Sequence, residues 1–559
     1  MRETRTVLGF CLIGILASGL ALAAEPDRTE IDAIFADYDS TRSPGCSMAV
    51  YHDGKIAYTR GYGMANLEYG IANGPQTVFR IGSTSKQFTA MAIAMLAEQG
   101  KLSLDDDIRT YFPEMPDYGS PVTVRHLVHH ISGLRDYLGL ASFADWGRHY
   151  SIDEALNLIT RQRELNFEPG SEFLYSNSNY FLMAQIVEKV TGQTLRAWSG
   201  EHIFGPLAMK NSHFHDDHTH IVPNRADGYS DAGDGFKIDM TILDLVGDGG
   251  VYTTVTDLLE WDNNFYDNTL GSGGPDLIDR VYTPAALNEG EPLDYAFGLT
   301  VGEYRGVREI QHGGAFVGFR AGLNRYPDQH LSVAVLCNYG NTNPTGMARQ
   351  VAEVYLGDAL DAVAGEDSAA GETKPATTAV AVSAAELERA TGEYWNPGDF
   401  RVRGIVLDDE VLYYERADGG RSELVPLGDG HFRMVGVGVL VVVRFEPERG
   451  APTRMVVDIE GQDSVRFEAF ERAKPSAAAL AGIAGEYSSE ELDHRLVLKV
   501  VEGELAVVRR DGTETFKPLV EDMFTNGGVA MVLERDKIGA VAGFRLHAGR
   551  IRNLLYERR

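Results

Sequence analysis

Cysteine is scarce: the 559 residues contain three, and Cys11 lies in an N-terminal apolar stretch. Cys46 and Cys337 alone cannot form a disulfide framework, even in an oxidising compartment. Each sits in an apolar, strand-like run, so the two read as buried free thiols, with a single bridge as the alternative. Positive charge is also short, with 51 Lys+Arg against 81 Asp+Glu and a net charge of −30. That balance repels phosphate backbones and anionic membranes, so nucleic acid is not an expected partner and the acidic excess marks a solvated surface. Tryptophan is rare, and Trp146, Trp198, Trp261 and Trp395 are scattered in a way that suggests cores.

What is present begins with a leader. Arg2 and Arg5 precede an apolar run from Val7 to Leu22, and Ala21, Leu22 and Ala23 supply a small-residue pattern before Glu25. This is the pattern of a secretory signal over residues 1–23, cleaved near Ala23, and it implies a periplasmic or secreted protein. The run is too short and wrongly flanked for a membrane span, so no stable insertion is expected.

The chain exceeds what one hydrophobic core organises, so two or three domains are expected. Two apolar runs between Cys46 and Arg60 flank Asp53-Gly54, a pair that tolerates positive φ and so predicts a hairpin. Phe88, Met91, Ala92, Met95 and Leu96 recur at helical spacing up to Gly100, predicting a buried helix that begins near Ser83. A second helix carries Leu182, Met183, Ile186, Val187 and Val190 and stops at Gly192, while Leu331 to Cys337 reads as a late strand. Strands at both ends with helices between them predict a mixed α/β (α+β) domain over residues 24–360 whose antiparallel sheet brings the two ends together.

From Asp358 the sequence turns to Ala, Gly, Thr, Glu and Pro with little periodicity, and a linker is placed at 361–384. Beyond it Gly392-Glu393-Tyr394 returns as Gly485-Glu486-Tyr487, and Phe470-Glu471-Arg472 returns as Tyr556-Glu557-Arg558. Two related modules, 385–474 and 475–559, therefore follow one another. Short alternating segments such as Val439 to Phe445 and Arg495 to Lys499 favour small all-β barrels or sandwiches.

Ser83-Thr84-Ser85-Lys86 places a hydroxyl and an amine on one face of a helix, about one turn apart. A serine is a weak nucleophile until a base takes its proton, and a lysine can serve if burial lowers its pKa. The structural alternative is a helix N-cap and a solvated lysine. Phe79-Arg80-Ile81-Gly82 before the serine and the apolar helix after it argue instead for an enclosed first turn. Tyr175-Ser176-Asn177 follows the turn signal Glu168-Pro169-Gly170 and so falls on a loop before the second helix. There a phenol can relay protons, and an amide can bind a substrate carbonyl or orient a lysine, with a core aromatic at Tyr175 and a helix cap at Asn177 as the structural alternative. His312-Gly313-Gly314-Ala315 has glycines that admit a substrate backbone, and the Ala315 N–H with that of Ser83 would make an oxyanion hole.

The order Ser83-x-x-Lys86, Tyr175-x-Asn177, His312-x-Gly314 resembles the three-motif series of penicillin-recognising serine hydrolases, in the branch of class C β-lactamases, D-aminopeptidases and related esterases. Val124 to Leu134, Phe167 to Gly170, and Gly247-Asp248-Gly249-Gly250 resemble that branch too, and the likeness spans about residues 30 to 355. It implies a β-lactamase/transpeptidase-like domain followed by two small antiparallel β-barrels. It makes Ser83 the acylated nucleophile, Lys86 and Tyr175 its proton handlers, and Asn177, His312, Gly314 and Ala315 substrate contacts. Penicillin-acting members usually carry lysine in the third motif, and His312 attracts a substrate carboxylate less. This favours a D-aminopeptidase-like peptidase on small peptides, amides or esters, although Arg320 could restore carboxylate binding. A β-lactamase or promiscuous esterase is the nearest alternative, and a penicillin-binding or sensing protein without turnover is another.

His213, His215, His218 and His220 crowd with Asp216 and Asp217, but the zinc-helix pattern of two histidines at i and i+4 with a glutamate beside the first is absent, so no metal or cofactor is expected. His126, His129 and His130 are expected to cap and pack a short helix.

Overall fold

A computed structural model of the chain describes residues 28–361 and 380–559, apart from 145–147, 418, 438–439, 447–452, 460–463 and 509–511. The leader at 1–23, Trp146 and most of the linker at 361–384 lie outside the described residues.

The sheet that joins the chain's two halves contains β1 (Cys46–His52), β2 (Lys55–Tyr62), β3 (Thr300–Tyr304), β4 (Val307–Phe316), β5 (Phe319–Tyr326) and β6 (Leu331–Cys337). Its strands run in the order β3-β4-β5-β6-β1-β2, every pair antiparallel. Asp53 and Gly54, at φ 49° and 73°, turn the β1–β2 hairpin as expected. One face of the sheet packs on the helical layer, and the other is covered by helices Arg28–Ile34 and Pro344–Leu356. With both faces covered, every residue of β6 is buried, which is why its sequence is apolar apart from Ser332, whose hydroxyl donates to Asp262, rather than an alternation.

The register places Cys46 opposite Cys337, and the two form a disulfide. This corrects the expectation of two free thiols. The cysteines are 291 residues apart, and sheet register, invisible in either local sequence, makes them neighbours. The double variant Cys46→Ala/Cys337→Ala is expected to lose about 2–4 kcal/mol of stability in urea unfolding. An unchanged midpoint would show that the bridge contributes nothing.

The helical layer centres on α1 (Lys86–Glu98), entered through a 3-10 turn at Gly82–Ser85, and α2 (Asn177–Thr191). Helix α1 is buried without interruption from Lys86 to Leu96, so it is enclosed all round rather than on one stripe, with Lys86, Gln87 and Thr89 as the polar members near its start. Helix α2 ends at Gly192 in the left-handed conformation, φ 74°, a common glycine stop. Asn177, expected on a loop, is the first residue of α2, and Tyr175 and Ser176 lead into it.

Each C-terminal module is a closed antiparallel barrel, Gly392–Trp395 through Val465–Ala469 and Gly485–Ser489 through Ile551–Arg558. First and last strands pair at Tyr394↔Ala469 and Tyr487↔Arg558, which removes exposed sheet edges. The repeated Gly-Glu-Tyr triplet has a structural cause. In each module the tyrosine hydroxyl donates to a carbonyl at the end of the preceding short helix, Tyr394 to Ala390 and Tyr487 to Ile483.

The second barrel docks on the first domain. Leu140 is part of the barrel's own hydrophobic cluster, and Arg135 pairs with Glu491 at 2.8 Å with side chains 0% and 7% exposed. Trp198 and Trp261 are buried, as expected of core residues.

Candidate active site

Two glycines let the sheet press on the start of α1. A Cβ on Gly314 would lie 1.9 Å from the Ile81 carbonyl oxygen, and one on Gly82 would lie 2.7 Å from the Ala315 nitrogen. Only bare backbone fits there. The Thr84 hydroxyl donates to the His312 carbonyl at 3.2 Å and staples the two segments. As a result Ser83, Tyr175, Asn177, His312, Gly314, Ala315 and Arg320 all line one cleft of about 450 Å³.

Lys86 is wholly buried behind Ser83, which lines this cleft. Its Nζ lies 3.3 Å from Ser83 Oγ, 2.9 Å from Asn177 Oδ1 and 2.5 Å from the Asp248 carbonyl oxygen. A neutral amine has two N–H groups and one lone pair. The two carbonyl-type oxygens take the donors, and the lone pair is left for the Ser83 hydroxyl. Burial pushes the Lys86 ammonium well below the usual lysine range, against the pull of Asp248 and Asp136. Burial likewise raises the Asp248 carboxyl.

Tyr175 offers its ring to Lys86, with Nζ 4.7 Å from the centroid. Its hydroxyl is buried without an aligned hydrogen bond among the described residues, yet lies near enough to Ser83 for that hydroxyl to oppose the rise in phenol pKa that burial causes. His312 accepts or donates through Nε2 to the Tyr295 hydroxyl at 3.0 Å and contacts its neighbour's carbonyl through Nδ1. Burial pushes it down to about 4, so it presents a neutral imidazole to the cleft. Arg320 turns back on its own hairpin, donating through Nη1 to the carbonyls of Val317 and Phe319 at 2.8 and 2.7 Å.

Several participants were not singled out from sequence. Asp136 Oδ2 accepts from the Asn177 backbone N–H at 2.8 Å and side-chain amide at 2.9 Å, which aims Asn177 Oδ1 at Lys86. Asp248 lines the cleft and receives the Tyr137 hydroxyl at 3.2 Å. His130, expected only to pack a helix, lies with its ring centroid 4.2 Å from that of Tyr175 and tilted by 33°, and its Nδ1 receives the Ser176 N–H. Arg550, from the second barrel, also lines the cleft. His126 does cap its helix, in a reciprocal pair with Thr123. Of the four clustered histidines, His218 joins His149 across Asp244, at 2.8 and 3.0 Å. That trio is the only group of three metal-ligating side chains among the described residues, and it does not line the cleft.

A buried amine on a helix-start serine, with a phenol beside it and backbone N–H groups from a neighbouring strand, defines a serine hydrolase of the β-lactamase type. Residues 31–356 match the Beta-lactamase family model, and the chain belongs to that family. It is 29% identical over 540 residues to a D-aminopeptidase of Gluconobacter oxydans (strain 621H), covering 92% of this chain and 96% of that one. It is 30% identical over 471 residues to a D-aminopeptidase of Brucella melitensis biotype 2 (strain ATCC 23457), covering 82% and 81%. The octameric penicillin-binding protein homologue from Pyrococcus abyssi has the same fold, with a TM-score of 0.56 at 23% identity over 79% of this chain and 99% of that one.

Proposed function

We propose that this chain is an exported D-aminopeptidase-like hydrolase that acylates Ser83 with the N-terminal residue of a small peptide or amide. The observation that carries the reading is Lys86 Nζ, buried and 3.3 Å from Ser83 Oγ. In this reading neutral Lys86 takes the Ser83 proton as Oγ attacks the substrate carbonyl, and the N–H groups of Ser83 and Ala315 receive the oxyanion. Collapse of the tetrahedral adduct breaks the C–N bond, and the proton passes from Lys86, with Tyr175 as relay, to the leaving amine. Water then attacks the ester by the same route and restores Ser83.

Two features favour the amine end of a peptide. Neutral His312 offers no charge for the carboxylate of penicillins or of peptides ending in D-Ala, while the Asp248 carboxyl in the same cleft is an acceptor for a substrate ammonium. A second reading, a β-lactamase, draws on Arg320 and Arg550, cations that also line the cleft. Hydrolysis of D-alanine p-nitroanilide, nitrocefin and p-nitrophenyl butyrate separates the readings. Preference for the anilide is expected, and turnover of nitrocefin alone would reverse the assignment. A long-lived Ser83 adduct without product would identify a binding protein instead.

Export is supported by the leader pattern at 1–23 and by the Cys46–Cys337 bridge, which suits an oxidising compartment. No helix of the described residues is long and apolar enough to cross a membrane, and the net charge of −30 disfavours nucleic acid.

With Lys86 as base, protonation removes activity. The kcat/KM for a neutral ester is expected to rise with pH through the depressed lysine pKa and then level off, far below the ordinary value of about 10.4. A rise confined to the alkaline lysine range would exclude this base.

A further inference from the structure

The cleft has one lining residue supplied from outside the family domain. The turn between strands Val541–Ala548 and Ile551–Arg558 of the second barrel carries Arg550 to the cleft. The turn is held by backbone. Asn166 Nδ2 donates to the Arg550 carbonyl at 3.0 Å, Asn166 Oδ1 receives the Arg552 N–H at 2.7 Å, and Arg135 donates to the carbonyls of Arg552 and Asn553. The guanidinium itself lies with Cζ 4.6 Å from the Tyr175 ring centroid and Nη1 3.4 Å from Asp136 Oδ2. That oxygen also receives both N–H contacts of Asn177, whose Oδ1 faces Lys86 at 2.9 Å.

We propose that Arg550 is a positioning residue for Lys86: paired with Asp136 it fixes Asn177, which aims the amine at Ser83, and its charge opposes a second positive charge behind Ser83. The proposal rests on the reading of Lys86 as the proton acceptor.

The surroundings of Lys86 give the charge effect its sign. Asp248 and Asp136 favour the ammonium, and Arg550 opposes it. His130 and His312 are kept neutral by burial, and burial keeps the phenols of Tyr137, Tyr175, Tyr180 and Tyr295 protonated. Arg80, also on the cleft, faces the rings of Phe316 and Tyr252, and Arg320 faces its own hairpin carbonyls. Loss of the Arg550 charge leaves Asp136 uncompensated beside the amine, so both changes favour the protonated, inactive lysine.

The test uses Arg550→Gln and Arg550→Lys in the full chain, with p-nitrophenyl butyrate, an ester with no charge for Arg550 to bind. The turn should persist in both, because the Arg550 carbonyl holds Asn166. Arg550→Gln is expected to move the acid limb of kcat/KM up by about one pH unit. On that limb the rate falls about tenfold, in kcat rather than KM, and Arg550→Lys restores most of it. An unmoved limb overturns the proposal, and so does an effect confined to KM for the carboxylate-bearing nitrocefin, which would make Arg550 a substrate receptor. Ester hydrolysis that survives Ser83→Ala would instead bring down the underlying reading, a failure told apart by that variant alone.

Discussion

Ser83→Ala is expected to lower kcat on the order of 10⁶-fold and to abolish the mass adduct formed with a fluorophosphonate. No neighbouring hydroxyl can stand in. Thr84 spends its hydroxyl on the His312 carbonyl, and the Ser85 oxygen receives the Val251 N–H at 3.0 Å. The Tyr175 phenol is held protonated by burial. Lys86→Met makes a complementary case. It removes the base while keeping an unbranched chain in the same buried space, and kcat is expected to fall about 10²–10⁴-fold. Stability should change little, because the desolvation relieved by removing a buried amine offsets the hydrogen bonds lost at Asn177 Oδ1 and the Asp248 carbonyl. Loss of activity with a little-changed melting temperature, measured on one sample, separates a chemical role for Lys86 from a structural one. Retained turnover in Ser83→Ala would remove the nucleophile from the reading altogether.

The parts of the site that were legible in sequence are those set by local geometry. Ser83 and Lys86 meet because three residues make about one helical turn, and the 3.3 Å separation follows from chain geometry there. Gly314 was legible as a close-approach glycine, though its partner, the Ile81 carbonyl, was not. Asp136 and Arg550 carry no local mark, while Asp248 and His130 stand in stretches that resemble the family but are given no role in the site by them. Each is identified only by what it faces across the fold, and the Arg550–Asp136 contact joins residues 414 apart in sequence. The same holds for the disulfide, fixed by sheet register. The barrels show the converse. Their repeated triplets announced two related modules, because the tyrosine in each must reach back to its own short helix, while closure into barrels rather than sandwiches depends on pairing of first and last strands.

Docking of the second barrel is expected to control both stability and substrate length. Arg135 is fully buried between the domains. It donates 2.8 Å bonds to Gln162, Glu491 and the Arg552 carbonyl, and a 3.0 Å bond to the Asn553 carbonyl. Arg135→Met leaves Glu491, 7% exposed, without its cation. Stranding one member of a buried pair costs about 3–5 kcal/mol. Because the barrel keeps a hydrophobic cluster of its own, that cost is expected to be relieved by undocking rather than by unfolding the barrel. Undocking withdraws the turn bearing Arg550 from the cleft. The double variant Arg135→Met/Glu491→Leu removes both charges and is expected to recover most of the interface, short of the carbonyl bonds to Arg552 and Asn553, worth about 1 kcal/mol each. The readout is the ratio of rates on D-alanine p-nitroanilide and on a longer peptide with the same N-terminal residue. That ratio should fall sharply in Arg135→Met and return toward the parent value in the double variant. A ratio unchanged in Arg135→Met, with the barrel shown by limited proteolysis to be loosened, would mean that the turn does not limit substrate length.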